Sequence, residues 1–191
     1  MTEREKADAG LLYNAGDPAL AVDRDRVKDL CLRFNALDSR QQEERERLIG
    51  RILGQAGEGC FLTAPFWCDY GYNIRVGKYF YTNHNCVILD CAPVTFGDEV
   101  LIGPNCCFSA AGHPLDAAQR STGLEFAYPI TVGSRVWFGA NVTVLPGVTI
   151  GDDCVIGAGS VVTRDIPSGV VAVGNPCRVL RPITEADRMQ M

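Results

Sequence analysis

The chain has 191 residues, of which 47% are hydrophobic and 21% are charged, so its composition is that of a folded globular protein and excludes general disorder. A formal net charge of −5 argues against a nucleic-acid-binding protein, which would carry an excess of basic side chains. No apolar run is long enough to span a membrane, and the charged start MTEREKADAG lacks the apolar segment of a secretory signal, so we expect a cytoplasmic protein with no membrane partner.

Residues 1–57 predict a helical N-terminal cap. Two pairs have the spacing of a capping box, Thr2 with Glu5 and Ser39 with Gln42. An apolar stripe at helical spacing predicts one amphipathic helix, through Val27, Leu30, Cys31 and Phe34. A further apolar group predicts the last helix of the cap, through Leu48, Ile49, Ile52 and Leu53.

Residues 58–166 carry a repeat with a period of six, which fits neither an α-helix nor a flat strand. Its cleanest part has large apolar residues followed mostly by glycine, at Val132, Phe138, Val144, Ile150, Ile156 and Val162. An earlier part slips by two residues at Pro93, and runs through Val76, Thr82, Ile88, Phe96, Ile102 and Phe108. We predict a three-sided solenoid in which each hexad forms one side, the apolar residue fills the interior, and Gly or Asn turns the corner at positive φ.

The hexad pattern stops between Phe108 and Val132, and we predict a loop extruded from the solenoid at residues 109–129. Residues 167–191, which contain Pro167, Pro176 and Pro182, are expected to form the C-terminal cap and tail.

Nine cysteines are present, an odd number with no C-x-x-C pair, so we predict reduced and buried side chains and neither a disulfide framework nor a metal site.

The chain has only two histidines. His113 lies where the solenoid gives way to the loop, and an imidazole is the usual side chain for accepting a proton near neutral pH. The residues alone leave a structural or surface role for His113 open. His84 lies inside a hexad, and we expect it at the surface or at an interface.

Several motifs together resemble the maltose/galactoside O-acetyltransferases across nearly the whole chain. They are residues 69–74 (DYGYNI), Asn83, residues 112–114 (GHP), 129–133 (PITVG), 136–139 (VWFG), 146–152 (PGVTIGD) and 174–179 (GNPCRV). The resemblance implies a left-handed parallel β-helix with a helical N-terminal cap, a homotrimer with active sites between subunits, and acetyl-CoA as co-substrate without a metal.

The resemblance also implies roles for individual residues. His113 matches the general base. Glu125 is similar in place to an acidic residue of the maltose-type branch, which implies that it orients the His113 imidazolium or contacts sugar hydroxyls; a solvated loop carboxylate is the alternative. The expected contacts to a sugar acceptor are Asn83, Asp69, Tyr81, Arg24 and Asp17. The expected contacts to coenzyme A are Trp137, Ala140, Ala158, Thr163, Arg164, Arg178 and Arg181, where the arginines have surface charge as their alternative. The backbone amide near Ala140 is expected to stabilise the developing oxyanion.

Two departures from the galactoside branch favour the maltose-type branch. Cys91 stands where that branch has an aspartate, and Ala15 aligns with an acidic acceptor contact, with Asp17 two residues further on.

Four alternatives use the same solenoid. A γ-class carbonic anhydrase needs three histidines, and this chain has two. Acetyltransferases that act on serine or on antibiotics also share the solenoid. The xenobiotic type is the closer alternative because it too uses a loop histidine, but it lacks the helical N-terminal cap. A non-catalytic assembly protein would bind no acetyl-CoA and would not depend on His113.

Overall fold

The computed structural model describes residues 1–190; Met191, the last residue of the predicted C-terminal tail, lies outside the described residues. The described helices are α1 (Glu3–Asp8), α2 (Pro18–Ala36), α3 (Gln42–Ile52), α4 (Ala117–Arg120) and a short 3-10 helix (Glu185–Asp187). In residues 1–190 no helix is long and apolar enough to cross a membrane.

The cap follows the predicted pattern in one of its two capping boxes. The Glu5 amide donates to Thr2 Oγ1 at 3.1 Å, and the Thr2 amide donates to Glu5 Oε2 at 2.7 Å. The predicted second box, Ser39 with Gln42, is wrong: α3 begins at Gln42 and its N-cap residue, Gln41, makes no side-chain capping bond. The Gln41 amide oxygen instead accepts from the Asp38 backbone amide at 3.1 Å, so the side chain closes the preceding turn.

The predicted apolar stripe of α2 is buried against the solenoid, as are the four apolar residues predicted for the last helix of the cap. Asn35 fixes this contact through two bonds to one backbone unit, because its amide oxygen accepts from the Phe66 amide at 2.8 Å and its amide nitrogen donates to the Phe66 carbonyl at 3.0 Å. The buried Arg45 of α3 donates to the Leu62 carbonyl at 2.9 Å and lies over the ring of Phe34.

Short parallel strands form the three faces of a solenoid, which the chain visits in turn. Sheet 1 contains β2 (Gln55–Ala56), β5 (Ile74–Val76), β8 (Val94–Phe96), β13 (Ile130–Val132) and β16 (Thr149–Ile150). Sheet 2 contains β3 (Phe61–Leu62), β6 (Tyr81–Thr82), β9 (Leu101–Ile102), β14 (Trp137–Phe138), β17 (Val155–Ile156), β19 (Val170–Val173) and the antiparallel β20 (Arg178–Pro182). Sheet 3 contains β4 (Phe66–Cys68), β7 (Cys86–Leu89), β10 (Cys107–Ser109), β15 (Thr143–Val144) and β18 (Val161–Val162). A separate small antiparallel sheet contains β1 (Tyr13–Asn14), β12 (Leu124–Ala127) and β11 (Ala111–Gly112).

Every apolar residue of the predicted hexads is buried inside this prism, and four phenylalanine rings pack in succession, tilted or edge to face, at centroid distances of 5.0–5.1 Å. Their order is Phe80, Phe96, Phe108 and Phe138. This arrangement confirms the predicted hexapeptide-repeat parallel β-helix with a helical N-terminal cap.

The two-residue slip at Pro93 is a wider corner between sheets 3 and 1. In the early coils that corner takes four or five residues, between Cys68 and Ile74 and again between Leu89 and Val94. The buried Asp90 carboxylate holds the first of these two corners in place, since it accepts hydrogen bonds from the backbone amides of Asp69 (3.1 Å), Tyr70 (2.9 Å) and Asn73 (3.3 Å). The extra residues therefore create room for polar side chains at this edge.

The prediction that hexad glycines supply positive φ is wrong for the most regular ones. Positive φ occurs two residues later, at non-glycine corners such as Arg135 (φ 56°) and Asn141 (φ 59°). A glycine is needed at Gly139 because successive coils stack closely: a Cβ there would lie 2.6 Å from the Ala158 nitrogen.

Candidate active site

The predicted loop, residues 109–129, folds back on itself as a hairpin that presents His113. Strand β11 leaves the solenoid, α4 turns the chain, and β12 returns antiparallel to β11. His113 follows β11 directly, and its side chain is 52% exposed. The hairpin therefore places an imidazole at the edge where the wider corners of the early coils lie.

One hydrogen bond fixes the tautomer of His113. Its Nδ1 lies 3.1 Å from the Leu124 carbonyl oxygen, which can only accept. Nδ1 therefore carries the proton in the neutral ring, and Nε2 keeps a free lone pair.

Glu125 faces that free nitrogen. Its Oε1 lies 3.8 Å from His113 Nε2, and its Oε2 accepts a hydrogen bond of 2.7 Å from the phenol of Tyr13. At 3.8 Å the carboxylate makes no hydrogen bond to the ring. It does place a negative charge where an imidazolium would form.

Asp69 and Cys91 lie next to His113 and Glu125, in the first and the second of the two wide corners between sheets 3 and 1. The Cys91 thiol donates to Asp69 Oδ2 at 3.5 Å. Burial raises the pKa of the Asp69 carboxyl, and burial together with the Asp69 charge raises the pKa of the Cys91 thiol, so the thiol stays protonated. The charge of Glu125 contributes to the raised pKa of both groups, so the three side chains form one electrostatic cluster.

The cap contributes Arg24 to the same edge. Its guanidinium donates to the Tyr70 hydroxyl and to the Ala15 carbonyl, both at 2.7 Å. Asp17 has a local task, because its side chain accepts from the Ala19 amide at 2.9 Å as the N-cap of α2.

Two predicted acceptor contacts lie elsewhere in the single chain. Asn83 is at the corner between sheets 2 and 3, where its Oδ1 accepts from the His84 amide at 2.7 Å. Tyr81 precedes it on the outer face of sheet 2, stacked on Phe61 with a centroid distance of 6.0 Å. Sheet 3 separates this corner from the one that holds His113, and each of its early strands is three or four residues wide.

Most of the predicted coenzyme A contacts share the side of the solenoid with Asn83. Trp137 is exposed in the same column of sheet 2 as Tyr81, and Ala140 and Ala158 stack at the adjoining corner. Arg178 lies on β20 opposite Val173, the last residue of β19, beside this corner and outside the column.

The remaining predicted contacts are placed differently. Arg181 is paired with both carboxylate oxygens of Asp187, at 2.6 and 2.7 Å. Thr163 and Arg164 follow β18 at the corner between sheets 3 and 1, and both are exposed. The single chain thus distributes the predicted site over two edges of the solenoid.

Tyr13 is a residue in contact with Glu125 that the sequence did not predict. It is 112 positions from Glu125 along the chain, and no periodic pattern joins the two; the signal is the β1–β12 pairing, which only the fold reveals. All nine cysteines are free thiols, and residues 1–190 contain no cluster of three or more potential metal ligands.

A three-sided hexapeptide solenoid that extrudes a histidine-bearing loop defines the class of hexapeptide-repeat acyltransferases. Two sequence profiles match the chain, "Maltose acetyltransferase hexapeptide capping motif" over residues 6–57 and "Hexapeptide repeat of succinyl-transferase" over residues 129–164. The Escherichia coli galactoside O-acetyltransferase is 45% identical over 188 residues, which cover 98% of this chain and 92% of that protein. The chain belongs to the maltose/galactoside O-acetyltransferase family.

Solved structures agree with this assignment. A maltose O-acetyltransferase from Clostridium difficile has a TM-score of 0.95 and 44% identity, covering 97% of this chain and 99% of that one. A galactoside acetyltransferase in complex with coenzyme A has a TM-score of 0.95 and 44% identity, and the match covers 98% of this chain and 94% of that one. The equal identities do not separate the two branches.

Proposed function

We propose that the chain transfers the acetyl group of acetyl-CoA to a hydroxyl of a maltose- or glucose-type sugar, in a ternary complex, with His113 as general base. The observation that carries the proposal is the free Nε2 of His113, which faces Glu125 while the Leu124 carbonyl holds the ring through Nδ1. Acetyl-CoA is the expected donor because the family transfers acetyl groups and a relative of 44% identity has been solved with coenzyme A.

The proposed step balances without an additional reagent. His113 Nε2 takes the proton of the acceptor hydroxyl while that oxygen attacks the thioester carbonyl carbon. The C–S bond then breaks, and the imidazolium returns the proton to the departing thiolate, which gives free coenzyme A and an acetyl ester. Glu125 stabilises the imidazolium between these two events.

The backbone amide of Ala140 is the proposed donor to the oxyanion. Within residues 1–190 this N–H donates to no backbone or side-chain acceptor, although both of its neighbours, Gly139 and Asn141, donate to the next or the previous coil. A preoriented and unoccupied amide is the group that stabilises a developing oxyanion.

The cluster at the wider corner supports a polyhydroxylated acceptor. Asp69, Glu125 and Arg24 offer carboxylates and a guanidinium at one edge, and such groups bind sugar hydroxyls. The thiol of Cys91 donates to Asp69, whereas an aspartate at that position would add a second acceptor for a sugar hydroxyl. This difference is the reason for proposing a maltose-type acceptor.

We further propose a homotrimer in which each site is completed by two subunits. The support is an apolar column of exposed and half-buried side chains on the outer face of sheet 2, which is unusual on a monomer and lies beside the predicted coenzyme A contacts. Its members in register are Phe61, Tyr81, Leu101, Trp137 and Val155. A neighbouring subunit packed here would bring Asn83 and Trp137 of one chain to the His113 edge of another.

The test is release of free thiol from acetyl-CoA with a panel of glucose, maltose, galactosides, serine and chloramphenicol. His113→Ala should lower sugar-dependent turnover by about a hundredfold or more, the scale of general-base catalysis, and leave acetyl-CoA binding intact in calorimetry. His84→Ala is the matched control, because it removes the other imidazole of the chain. Undiminished turnover of His113→Ala would contradict the assignment, and turnover with chloramphenicol alone would favour the xenobiotic class.

A further inference from the structure

The catalytic loop depends on the N-terminal cap for one contact that the reaction scheme above does not use. Strand β1 pairs antiparallel with β12, with Tyr13 opposite Glu125 and Asn14 opposite Leu124. Leu124 supplies the carbonyl that holds His113 Nδ1, and Glu125 supplies the carboxylate that faces Nε2. Both groups that orient the imidazole therefore belong to residues paired with the cap.

Tyr13 makes a hydrogen bond of a kind that sets the direction of a carboxylate. Its side chain is 1% exposed, and its hydroxyl donates to Glu125 Oε2 at 2.7 Å. Bonds from a donor to an ionised carboxylate are among the stronger ones in proteins. With Oε2 held in this way, Oε1 is the oxygen left to face His113.

Without this hydrogen bond, the surroundings favour a rotation of the Glu125 carboxylate away from His113. The nearby Asp69 carboxylate carries charge of the same sign, and burial together with the charge of Glu125 raises the pKa of Asp69. His113 is half exposed, so packing alone does not hold the ring against the carboxylate. Burial, the neighbouring Cys91 and the Glu125 contact raise the pKa of the Tyr13 phenol, which therefore remains a neutral donor.

We propose that Tyr13 is a positioning residue for acetyl transfer, which acts through Glu125 to keep the carboxylate facing His113 Nε2. The proposal rests on His113 being the general base. It assigns a role in turnover to the cap, because Tyr13 reaches the loop from a segment outside the solenoid.

The test is a cycle of variants measured by steady-state acetyl transfer. Tyr13→Phe removes one buried oxygen, and we expect kcat to fall about tenfold with the KM for acetyl-CoA unchanged, as for loss of a single bond to a charged group. In a Glu125→Ala background the same replacement should change kcat less than about twofold, because the group through which Tyr13 acts is gone.

A matched control is Tyr72→Phe, since the Tyr72 hydroxyl also joins a carboxylate of the cap, Asp23 Oδ2 at 3.3 Å, without contacting the loop. This variant should keep the wild-type kcat. Tyr13→Met fills the same buried site without a donor and takes the place of Tyr13→Phe should that variant not fold.

The outcomes separate the two proposals. Loss of turnover in His113→Ala, together with a Tyr13 effect that vanishes without Glu125, supports the inference. Fold-changes for Tyr13→Phe and Glu125→Ala that multiply would overturn it, since Tyr13 would then act independently of the carboxylate. Full turnover of His113→Ala would overturn the general-base proposal itself.

Discussion

Replacing Thr82 with valine should stabilise the solenoid. Thr82 takes an interior position of sheet 2, between Leu62 on one side and Ile102 on the other, and it is completely buried. Its hydroxyl is the one buried side-chain N or O atom in residues 1–190 that has no hydrogen-bond partner. The fold thus carries a hydroxyl where the repeat calls for a methyl group.

The size of the effect follows from that missing partner. An unsatisfied buried hydroxyl costs roughly 1–3 kcal/mol, and valine has nearly the same shape without the polar atom. We expect Thr82→Val to raise the free energy of unfolding by about 1–2 kcal/mol. For a chain of this length each kcal/mol raises the melting temperature by roughly 2–4 °C.

Thermal unfolding followed by circular dichroism, at one fixed protein concentration, measures this shift. Thr131→Val is the matched control, because Thr131 is exposed on sheet 1 and its replacement should change stability by less than about 0.5 kcal/mol. A melting temperature of Thr82→Val at or below the wild-type value would refute the reasoning. Such a result would mean that the Thr82 hydroxyl has a hydrogen-bond partner inside the prism, and that the valine variant has lost that hydrogen bond.

Two further predictions concern the corners of the solenoid. Burial raises the pKa of Asp90 from 3.8 to about 6, so the folded chain binds this proton more tightly than the unfolded one, and the carboxyl costs stability progressively as the pH rises through that window. The free energy of unfolding of Asp90→Asn, relative to that of wild type, should therefore rise by up to about 3 kcal/mol between about pH 4 and pH 7. A difference between the two proteins that does not vary with pH would contradict this. Gly57→Ala should destabilise the first coil by about 3 kcal/mol or prevent folding, because its Cβ would lie against the Gly77 carbonyl and 2.6 Å from the Lys78 nitrogen. Gly50→Ala, on the open face of α3, should instead stabilise by about 0.5–1 kcal/mol, and equal effects of the two alanines in urea unfolding would show that coil stacking is not the cause.

Much of the fold could be predicted because the repeat is local and redundant. Each apolar hexad residue, from Val76 to Val162, indicates the same inward-facing position on one side of the solenoid, and the slip at Pro93 marks the wider corner. Local patterns were less reliable at single positions. Ser39 has the spacing of a cap, but the Gln41 side chain closes the preceding turn, and α3 begins without a side-chain cap.

The site could be predicted only where one residue carries its own signal. His113 stands out as one of two histidines at a break in the repeat, and Glu125 lies on the returning strand of the same hairpin. Tyr13 gives no such signal, since its partner is 112 residues away and the contact depends on how the cap meets the loop. The separation of Asn83 from His113 is likewise a property of the three-sided cross-section.

The most direct test of an interfacial, His113-based site is complementation between two inactive variants. His113→Ala and Asn83→Ala are each expected to be inactive alone, and co-expression with two different affinity tags allows mixed trimers to be isolated. If His113 of one subunit works with Asn83 of its neighbour, every mixed trimer keeps one intact site of its three, and sugar-dependent thiol release should recover to about a third of wild type. Mixed trimers no more active than either parent would show that both residues must come from one chain, and would contradict the account.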